Sequence, residues 1–178
     1  MIVTLCHEIG EFQTDWLVQM VERENVDCVG YFPVSLSDPV IMTYSLEITL
    51  LSMTKLNEST TVREISVTDS KTTQVVKHFH FKGWPDWQIP IEATQKDFST
   101  VIDHAAHFVM ANKRLSTADR EKLVVHCKAG IGRTGTTIAL INATISIQEQ
   151  LLSSSGTEPS LSLFSIVRRL REQRIWMC

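Results

Sequence analysis

The feature that most constrains this chain is a short, glycine-containing loop between an apolar strand and an apolar helix. The stretch reads Val124-Val125-His126-Cys127-Lys128-Ala129-Gly130-Ile131-Gly132-Arg133-Thr134-Gly135. A strand that turns directly into a helix presents the unpaired N–H groups and the positive dipole end of that helix at the turn. The loop is therefore predicted to bind an anion such as phosphate.

The residue types in the loop favour phosphate chemistry. Small residues let the backbone N–H groups curl around a tetrahedral anion, and an arginine closes the site with a bidentate fork. Cys127 lies at the base of this positive field, so its thiol pKa is expected to fall from about 8.5 toward the roughly 3.5–7.5 range. A thiolate that faces phosphorus favours a phosphocysteine intermediate. The predicted phosphate-binding residues are Lys128, Ala129, Gly130, Ile131, Gly132 and Arg133.

Each element of this motif has an ordinary structural explanation when it is taken alone. A buried cysteine after an apolar strand is typical of inert core, and a glycine-rich turn is typical of any turn. The combination is more specific, because Cys127 and Arg133 are separated by five small or loop-forming residues between a strand and a helix. The combination favours a nucleophilic cysteine.

Composition narrows the class of protein. The chain has 178 residues, of which 43% are hydrophobic and 21% charged, and a net charge of -3. These values are typical of one globular domain and do not favour a nucleic-acid partner. No apolar run approaches the length of a membrane span. The four cysteines, at positions 6, 28, 127 and 178, form no CxxC pair, so we expect reduced thiols in a cytosol-like compartment.

The hydrophobic pattern predicts alternating strands and helices. Strands are predicted over 2–5, 41–53, 62–68, 73–81 and 123–125, with a turn at 69–71, and helices over 12–24, 94–111, 134–151 and 161–174. The helix predicted over 134–151 follows the loop directly. The helix predicted over 94–111 begins at a capping-box pattern, Thr94 to Asp97. The predicted class is α/β (or α+β), with a mixed central sheet flanked by helices and the phosphate-binding loop between a strand and a helix N-terminus.

The loop resembles the signature loop of the protein tyrosine phosphatases. A second stretch, Gly83-Trp84-Pro85-Asp86-Trp87-Gln88-Ile89-Pro90, is similar to the family's mobile loop that carries the general acid. Residues 28–33, 78–81 and 167–174 resemble flanking motifs of the family. The resemblance extends over nearly the whole chain and is closer to the tyrosine-specific branch than to the dual-specificity branch.

The resemblance implies roles for individual residues near the two loops. Asp86, beside Trp84 and Pro85, would protonate the leaving tyrosine oxygen and later deprotonate the hydrolytic water, although an isolated loop aspartate is more typical of a turn. Thr134 would donate a hydrogen bond to the sulfur of Cys127. His126 would help to hold the thiolate through hydrogen bonds to the groups around it.

Two further residues have weaker parallels in the family. Trp87 aligns with an aromatic residue that packs on the phosphotyrosine ring, although exposed loop tryptophans are also common. Glu22 matches a carboxylate that pairs with the loop arginine, and a solvated helix-face glutamate explains it equally well. His104 and His107 have no carboxylate or cysteine at ligand spacing, so we expect no metal site. The thiolate route needs no metal, and no cofactor is expected.

The resemblance also suggests that residues 1–178 form a partial catalytic domain. Family members have an N-terminal substrate-recognition loop, and a glutamine loop after the match to residues 174–178; we expect both to be lacking. The expected activity is hydrolysis of phosphotyrosine in proteins or peptides. The alternatives are a catalytically weak phosphotyrosine-binding module and a phosphatase of broader specificity. The expected location is cytoplasmic, alone or as the cytoplasmic part of a larger membrane protein.

Overall fold

The structure of the chain is a computed structural model, and it describes residues 1–5, 32–33, 35–36, 40–43, 45–85, 88–153 and 158–178. Within these residues the chain forms six strands and three helices. The strands are β1 (Ile2–Thr4), β2 (Val40–Thr43), β3 (Leu46–Asn57), β4 (Thr60–Thr68), β5 (Thr73–Phe81) and β6 (Val124–His126). The helices are α1 (Glu92–Lys113), α2 (Gly132–Ser153) and α3 (Leu163–Gln173). The helix predicted over 12–24 lies outside the described residues.

The described strands form one mixed sheet in the order β2-β3-β4-β5-β1-β6. Strands β2 to β5 pair in antiparallel fashion, whereas β1 is parallel to both of its neighbours. Val3 lies opposite Phe79 on β5 and Val125 on β6. The predicted mixed sheet with flanking helices is confirmed, and β6 leads into the loop that precedes α2 as predicted.

Two local predictions are wrong. The stretch 41–53 is not one strand but an antiparallel pair, β2 and β3. The alternation of polar and apolar residues continues through both strands, and no glycine or proline marks the turn. The capping box is the second error, because α1 begins two residues before Thr94. The Thr94 hydroxyl instead donates to the carbonyl oxygens of Gly83 at 2.8 Å and Ile91 at 3.0 Å.

One face of the sheet carries the main apolar core. Val3, Phe79 and Phe81 point from β1 and β5 toward the helices, because residues two apart on a strand share a face. They pack with buried side chains of α1 and α2, namely Phe98, Val101, Ile102, Ala105, Ala106, Ile141 and Ile145. Cys127 and Trp84 belong to the same cluster. The catalytic candidates are therefore built on the edge of a packed core.

The other face of the sheet is polar where β1, β4 and β5 meet. Thr4, Arg63, His78 and His80 are all buried there. The Arg63 guanidinium lies 4.6 Å from the centroid of the Phe32 ring, and the same ring lies 4.1 Å from that of His78. Burial, followed by the charges of Arg63, His80 and His126, lowers the pKa of His78 to about 2. His78 is therefore neutral in the folded chain.

Replacement of His78 by glutamine is expected to make the free energy of unfolding less dependent on pH below 6.5. Between the folded pKa and the ordinary value of 6.5, only the unfolded chain binds this proton, so stability falls as the pH falls below 6.5. The unaltered chain should lose about 1.5 kcal/mol more than His78→Gln between pH 6.5 and pH 5. Urea denaturation at both pH values measures this.

The matched control for this prediction is His107→Gln. His107 is an exposed histidine on α1, so its replacement leaves the buried imidazole in place and should retain the steep pH dependence. Parallel stability curves for the unaltered chain and His78→Gln would contradict the assignment of this loss to His78.

Candidate active site

The phosphate-loop prediction centres on Cys127, which follows β6 and lies five residues before α2 begins. Its side chain is buried, with 7% of its surface exposed. Its Sγ accepts a hydrogen bond from the Thr134 hydroxyl at 3.1 Å. Thr134 lies in the first turn of α2, so the helix that supplies the positive dipole end also supplies the hydroxyl donor.

The electrostatics of the loop favour the thiolate. Burial raises the pKa of the Cys127 thiol, but hydrogen bonds from the Thr134 hydroxyl and from the backbone N–H groups of Thr134, Gly130 and Ile131 lower it. The net direction is a lowered pKa. Hydrogen bonds to the charged form of a group stabilise that form, and four donors outweigh the desolvation here. Cys127 therefore has the character expected of a nucleophile.

Arg133 connects the loop to a second loop of the site. Its side chain is buried, and its Nη1 donates to the Trp84 carbonyl oxygen at 3.2 Å. Its own carbonyl accepts from the Thr137 hydroxyl at 2.7 Å. A guanidinium has five N–H donors in a rigid fork, a geometry that suits bidentate contact with a phosphate.

The chain on either side of Asp86 and Trp87 is anchored. The Gly83 carbonyl is held by Thr94, and the Trp84 indole donates to the Gln88 carbonyl at 2.7 Å. The Trp84 ring packs edge-on against Phe98 with centroids 5.1 Å apart. A Cβ on Gly83 would lie 2.7 Å from atoms of both Phe81 and Thr94, so no larger residue fits there. Pro85 is half-buried beside Trp84.

His126 joins the loop to the polar face of the sheet. Its Nε2 lies 2.8 Å from the Thr4 hydroxyl, and its Nδ1 lies 3.4 Å from the Cys127 carbonyl oxygen. Burial lowers the pKa of His126, partly offset by the hydrogen bond to that carbonyl. His126 therefore contacts the Cys127 backbone through one ring nitrogen and Thr4 of β1 through the other.

Arg174, which is not among the predicted site residues, holds the outer side of the loop. Arg174 donates from Nη2 to the Ala129 carbonyl at 3.2 Å, and a Cβ on Gly130 would lie 3.1 Å from its guanidinium. Gly130 adopts φ 67°, a left-handed conformation that favours glycine. Lys128 and Ala129 are exposed at this rim. Only the position of Arg174 just after an arginine-rich helix could have indicated its role.

The remaining loop positions complete the turn into α2. The Ile131 carbonyl accepts from the Gly135 N–H at 2.8 Å, and Ile131 is half-buried. Among the described residues, none has an atom within 4 Å of the place that a Cβ on Gly132 would occupy. The backbone at these positions forms the first turn of the helix, and this turn directs N–H groups toward Cys127.

The structure thus brings most of the predicted residues together. Cys127, His126, Arg133 and Thr134 meet at the start of α2, and Trp84 contacts Arg133 through its carbonyl. The predicted residues Asp86, Trp87 and Glu22 lie outside the described residues. Among the residues that are described, no group of three or more His, Cys, Asp and Glu side chains is placed to hold a metal ion.

Comparisons with known proteins agree on one family. Residues 15–178 match the family described as protein-tyrosine phosphatase. Human tyrosine-protein phosphatase non-receptor type 18 is 34% identical over 127 residues, which are 71% of this chain and 25% of that protein. Human receptor-type tyrosine-protein phosphatase epsilon is 33% identical over 166 residues, 89% of this chain and 21% of that protein. Rat phosphatidylinositol phosphatase PTPRQ is 28% identical over 161 residues, 90% of this chain and 6% of that protein.

Solved structures show the same architecture. The catalytic domain of human protein tyrosine phosphatase non-receptor type 18 matches with a TM-score of 0.61 and 27% identity, covering 96% of this chain and 51% of that chain. A complex of that phosphatase with HER2 phosphopeptides matches with a TM-score of 0.65 and 26% identity, covering 96% and 53%. The chain spans about a quarter of the first two curated relatives, at 25% and 21% of their lengths. No helix in the described ranges is both long and apolar enough to cross a membrane.

Substitution of Thr134 by valine is expected to raise the pKa of the Cys127 thiol. The change removes the hydroxyl donor to Sγ but keeps the branched shape of the side chain. Because a hydrogen bond to a charged group is worth about 1.5–3 kcal/mol, the midpoint should rise by roughly 1 to 2 pH units. The rate of iodoacetate alkylation of Cys127, followed against pH by mass spectrometry, reports the thiolate.

Thr136→Val is the matched control, since Thr136 lies in the same turn of α2 and is half-buried. Its alkylation profile should coincide with that of the unaltered chain. An unchanged midpoint in Thr134→Val, or equal shifts in the two variants, would show that the Thr134 hydroxyl does not stabilise the thiolate.

Proposed function

Because this chain belongs to the protein tyrosine phosphatase family, we propose that it hydrolyses phosphotyrosine in proteins or peptides through a phosphocysteine intermediate. The observation that carries this proposal is the environment of Cys127. Its sulfur accepts from the Thr134 hydroxyl at 3.1 Å, and three backbone N–H groups further lower its pKa. A thiolate at a phosphate-sized turn, next to a buried arginine, is suited to attack on phosphorus.

In the first step the phosphate of the substrate occupies the loop formed by residues 127–133. The Cys127 thiolate attacks phosphorus, so an S–P bond forms while the P–O bond to the tyrosine ring breaks. Asp86 transfers its proton to the departing phenolate oxygen, because a phenolate is a poor leaving group without an acid. The products of this step are the dephosphorylated tyrosine residue of the substrate and a phosphocysteine.

In the second step water attacks the phosphocysteine. The Asp86 carboxylate takes a proton from that water, a P–O bond forms, and the S–P bond breaks to return the Cys127 thiolate. The Thr134 hydroxyl donates to the departing sulfur and stabilises the charge that develops on it. Inorganic phosphate then leaves, and Asp86 is protonated again for the next cycle.

The transition state of each step carries negative charge on the phosphoryl oxygens. Arg133 and the loop N–H groups provide fixed donors for these oxygens, which lowers the barrier without reorganisation of solvent. The hydrogen bond from Arg133 to the Trp84 carbonyl supports a role for Asp86, because Trp84 lies two residues before Asp86 and the bond attaches this segment to the phosphate loop. In this proposal Trp87 packs on the substrate ring and Glu22 pairs with Arg133.

The substrate class is proposed from the relatives. One solved match is a complex of non-receptor type 18 with HER2 phosphopeptides, and phosphotyrosine peptides are the first candidates for this chain. A second candidate is a phosphoinositide, because a relative at 28% identity is named a phosphatidylinositol phosphatase. We further propose that residues 1–178 form part of one catalytic domain in the cytoplasm, alone or within a larger membrane protein, where the nucleophile stays reduced.

Phosphate release from a phosphotyrosine peptide is expected to require Cys127. In Cys127→Ser the hydroxyl is far less acidic than the thiol, so release should fall to background while the phosphopeptide still binds in the loop. Cys178→Ser is the matched control, because Cys178 is a free, exposed cysteine, and it should retain full release. Malachite-green detection measures phosphate, and isothermal titration calorimetry measures peptide binding.

Two outcomes of this experiment would overturn the proposed activity. Equal release from the unaltered chain and Cys127→Ser would exclude the thiolate route. Tight phosphopeptide binding without release by the unaltered chain would identify a binding module instead. A parallel assay on phosphoinositide vesicles decides between the two substrate classes.

Lys128 is expected to favour acidic substrates, because it is exposed next to the nucleophile at the rim of the loop. Lys128→Ala should lower kcat/KM for a phosphopeptide with flanking aspartates by about 3- to 10-fold, and that for a neutral phosphopeptide by less than about 2-fold. Lys71→Ala, in the exposed turn between β4 and β5, is the control for overall charge. Equal losses on both peptides would refute the preference.

A further inference from the structure

On the polar face of the sheet, Thr4 links the buried His78 to the half-buried His126. Thr4 is buried, and its hydroxyl oxygen lies 2.9 Å from His78 Nε2 and 2.8 Å from His126 Nε2. Parallel pairing places Thr4 directly opposite His126 on β6 and His80 on β5. The hydroxyl therefore joins β5 to the strand that ends at the nucleophile.

The direction of these hydrogen bonds follows from the number of protons. The Cys127 carbonyl can only accept, so the contact with His126 at 3.4 Å requires a proton on Nδ1 of His126. In a neutral imidazole Nε2 is then an acceptor, and the Thr4 hydroxyl donates to it. Since a hydroxyl has one proton, its oxygen accepts from Nε2–H of His78. The chain of donors runs from His78 through Thr4 and His126 to the Cys127 carbonyl.

We propose that Thr4 is a positioning residue of the phosphate loop, whose hydroxyl couples the tautomer of His126 to that of His78, holds the orientation of the His126 ring and thereby supports the Cys127 peptide. The consequence for catalysis rests on the proposed function, whereas the consequence for the Cys127 thiolate does not. Loss of the hydroxyl removes the donor to Nε2 of His126 and so weakens the preference for a proton on Nδ1.

The wrong tautomer would place two acceptors against each other. With its proton on Nε2, His126 would present a bare Nδ1 to the Cys127 carbonyl oxygen at a separation of 3.4 Å. The resulting repulsion favours rotation of the Cys127–Lys128 peptide. The N–H groups that converge on the sulfur come from the residues that follow this peptide, so their alignment with Sγ would weaken.

The charged and titratable groups around Thr4 favour the proposed direction. Arg63 on β4 lies opposite His78 in the strand register, and its positive charge disfavours protonation of that ring. His80 and His126 act on His78 in the same direction. These charges favour a neutral His78, which can carry its proton on Nε2 toward Thr4.

The first test reads the tautomers directly in the unaltered chain. Long-range ¹⁵N–¹H correlation spectra of chain labelled at histidine distinguish protonated from bare ring nitrogens, and single His→Gln variants assign the signals. The expected result is a proton on Nδ1 of His126 and on Nε2 of His78. A proton on Nε2 of His126 near neutral pH would overturn the proposal, whether or not any variant of Thr4 folds.

The second test compares Thr4→Val with Thr4→Ser. Valine keeps the shape of threonine without the hydroxyl, whereas serine keeps the hydroxyl. The pH midpoint of iodoacetate alkylation at Cys127 should rise by about 0.5 to 1 pH unit in Thr4→Val, the effect of one lost hydrogen bond, and return to that of the unaltered chain in Thr4→Ser. Thr60→Val, which removes another buried hydroxyl of the sheet, should leave the midpoint unchanged.

Phosphate release separates this proposal from the proposed function. In Thr4→Val the value of kcat is expected to fall by about 3- to 10-fold, and KM is expected to change less. The acidic limb of kcat/KM, which reports the free enzyme, should move in parallel with the alkylation midpoint. A shifted midpoint in a chain that releases no phosphate would support the role of Thr4 and refute the activity. An unshifted midpoint in folded Thr4→Val would refute the role of Thr4 and leave the activity standing.

Discussion

The hydrogen bonds that converge on the Cys127 sulfur are the interaction on which the site depends. A buried thiol would ordinarily stay protonated, because burial disfavours the charged form. Here the Thr134 hydroxyl and three loop N–H groups reverse that preference. This reversal requires β6 to end at a fixed point and α2 to start a few residues later. The thiolate form of Cys127 thus depends on the strand order and on the packing of α2 against the sheet.

The support for this geometry comes from three directions. Arg174 holds the outer side of the loop at Ala129, and Thr4 holds the inner side through His126. Arg133 connects the loop to Trp84 on the neighbouring segment. Each contact ends on a backbone carbonyl or on a ring that bonds to one, so the supports act mainly on the path of the chain. A loop that is held through its backbone keeps its N–H groups aligned in the absence of a ligand.

The sequence predicted the parts of this site that depend on local order along the chain. The strand, loop and helix around Cys127 were recognisable because glycines, a cysteine and an arginine fall within a few residues of one another. The polar contacts of Thr4 and Arg174 were not recognisable, since they join positions 122 and 45 residues apart. The hairpin of β2 and β3 was not predicted because no glycine or proline interrupts its alternation. The capping motif failed because the Thr94 hydroxyl bonds to Gly83, a partner that only tertiary packing supplies.

The bond between Thr94 and Gly83 has a consequence for the way this region opens. A helix that packs against the core with Phe98 and Val101 unfolds only with much of that core. Because the first turn of α1 holds the Gly83 carbonyl, that end of the segment before Asp86 shares the protection of the helix. Hydrogen exchange of the amides in α1 and in the segment around Gly83 would then follow a single opening event. The helix and this segment thus form one cooperative unit. The local stability of the flank is set by a helix that carries none of the predicted site residues.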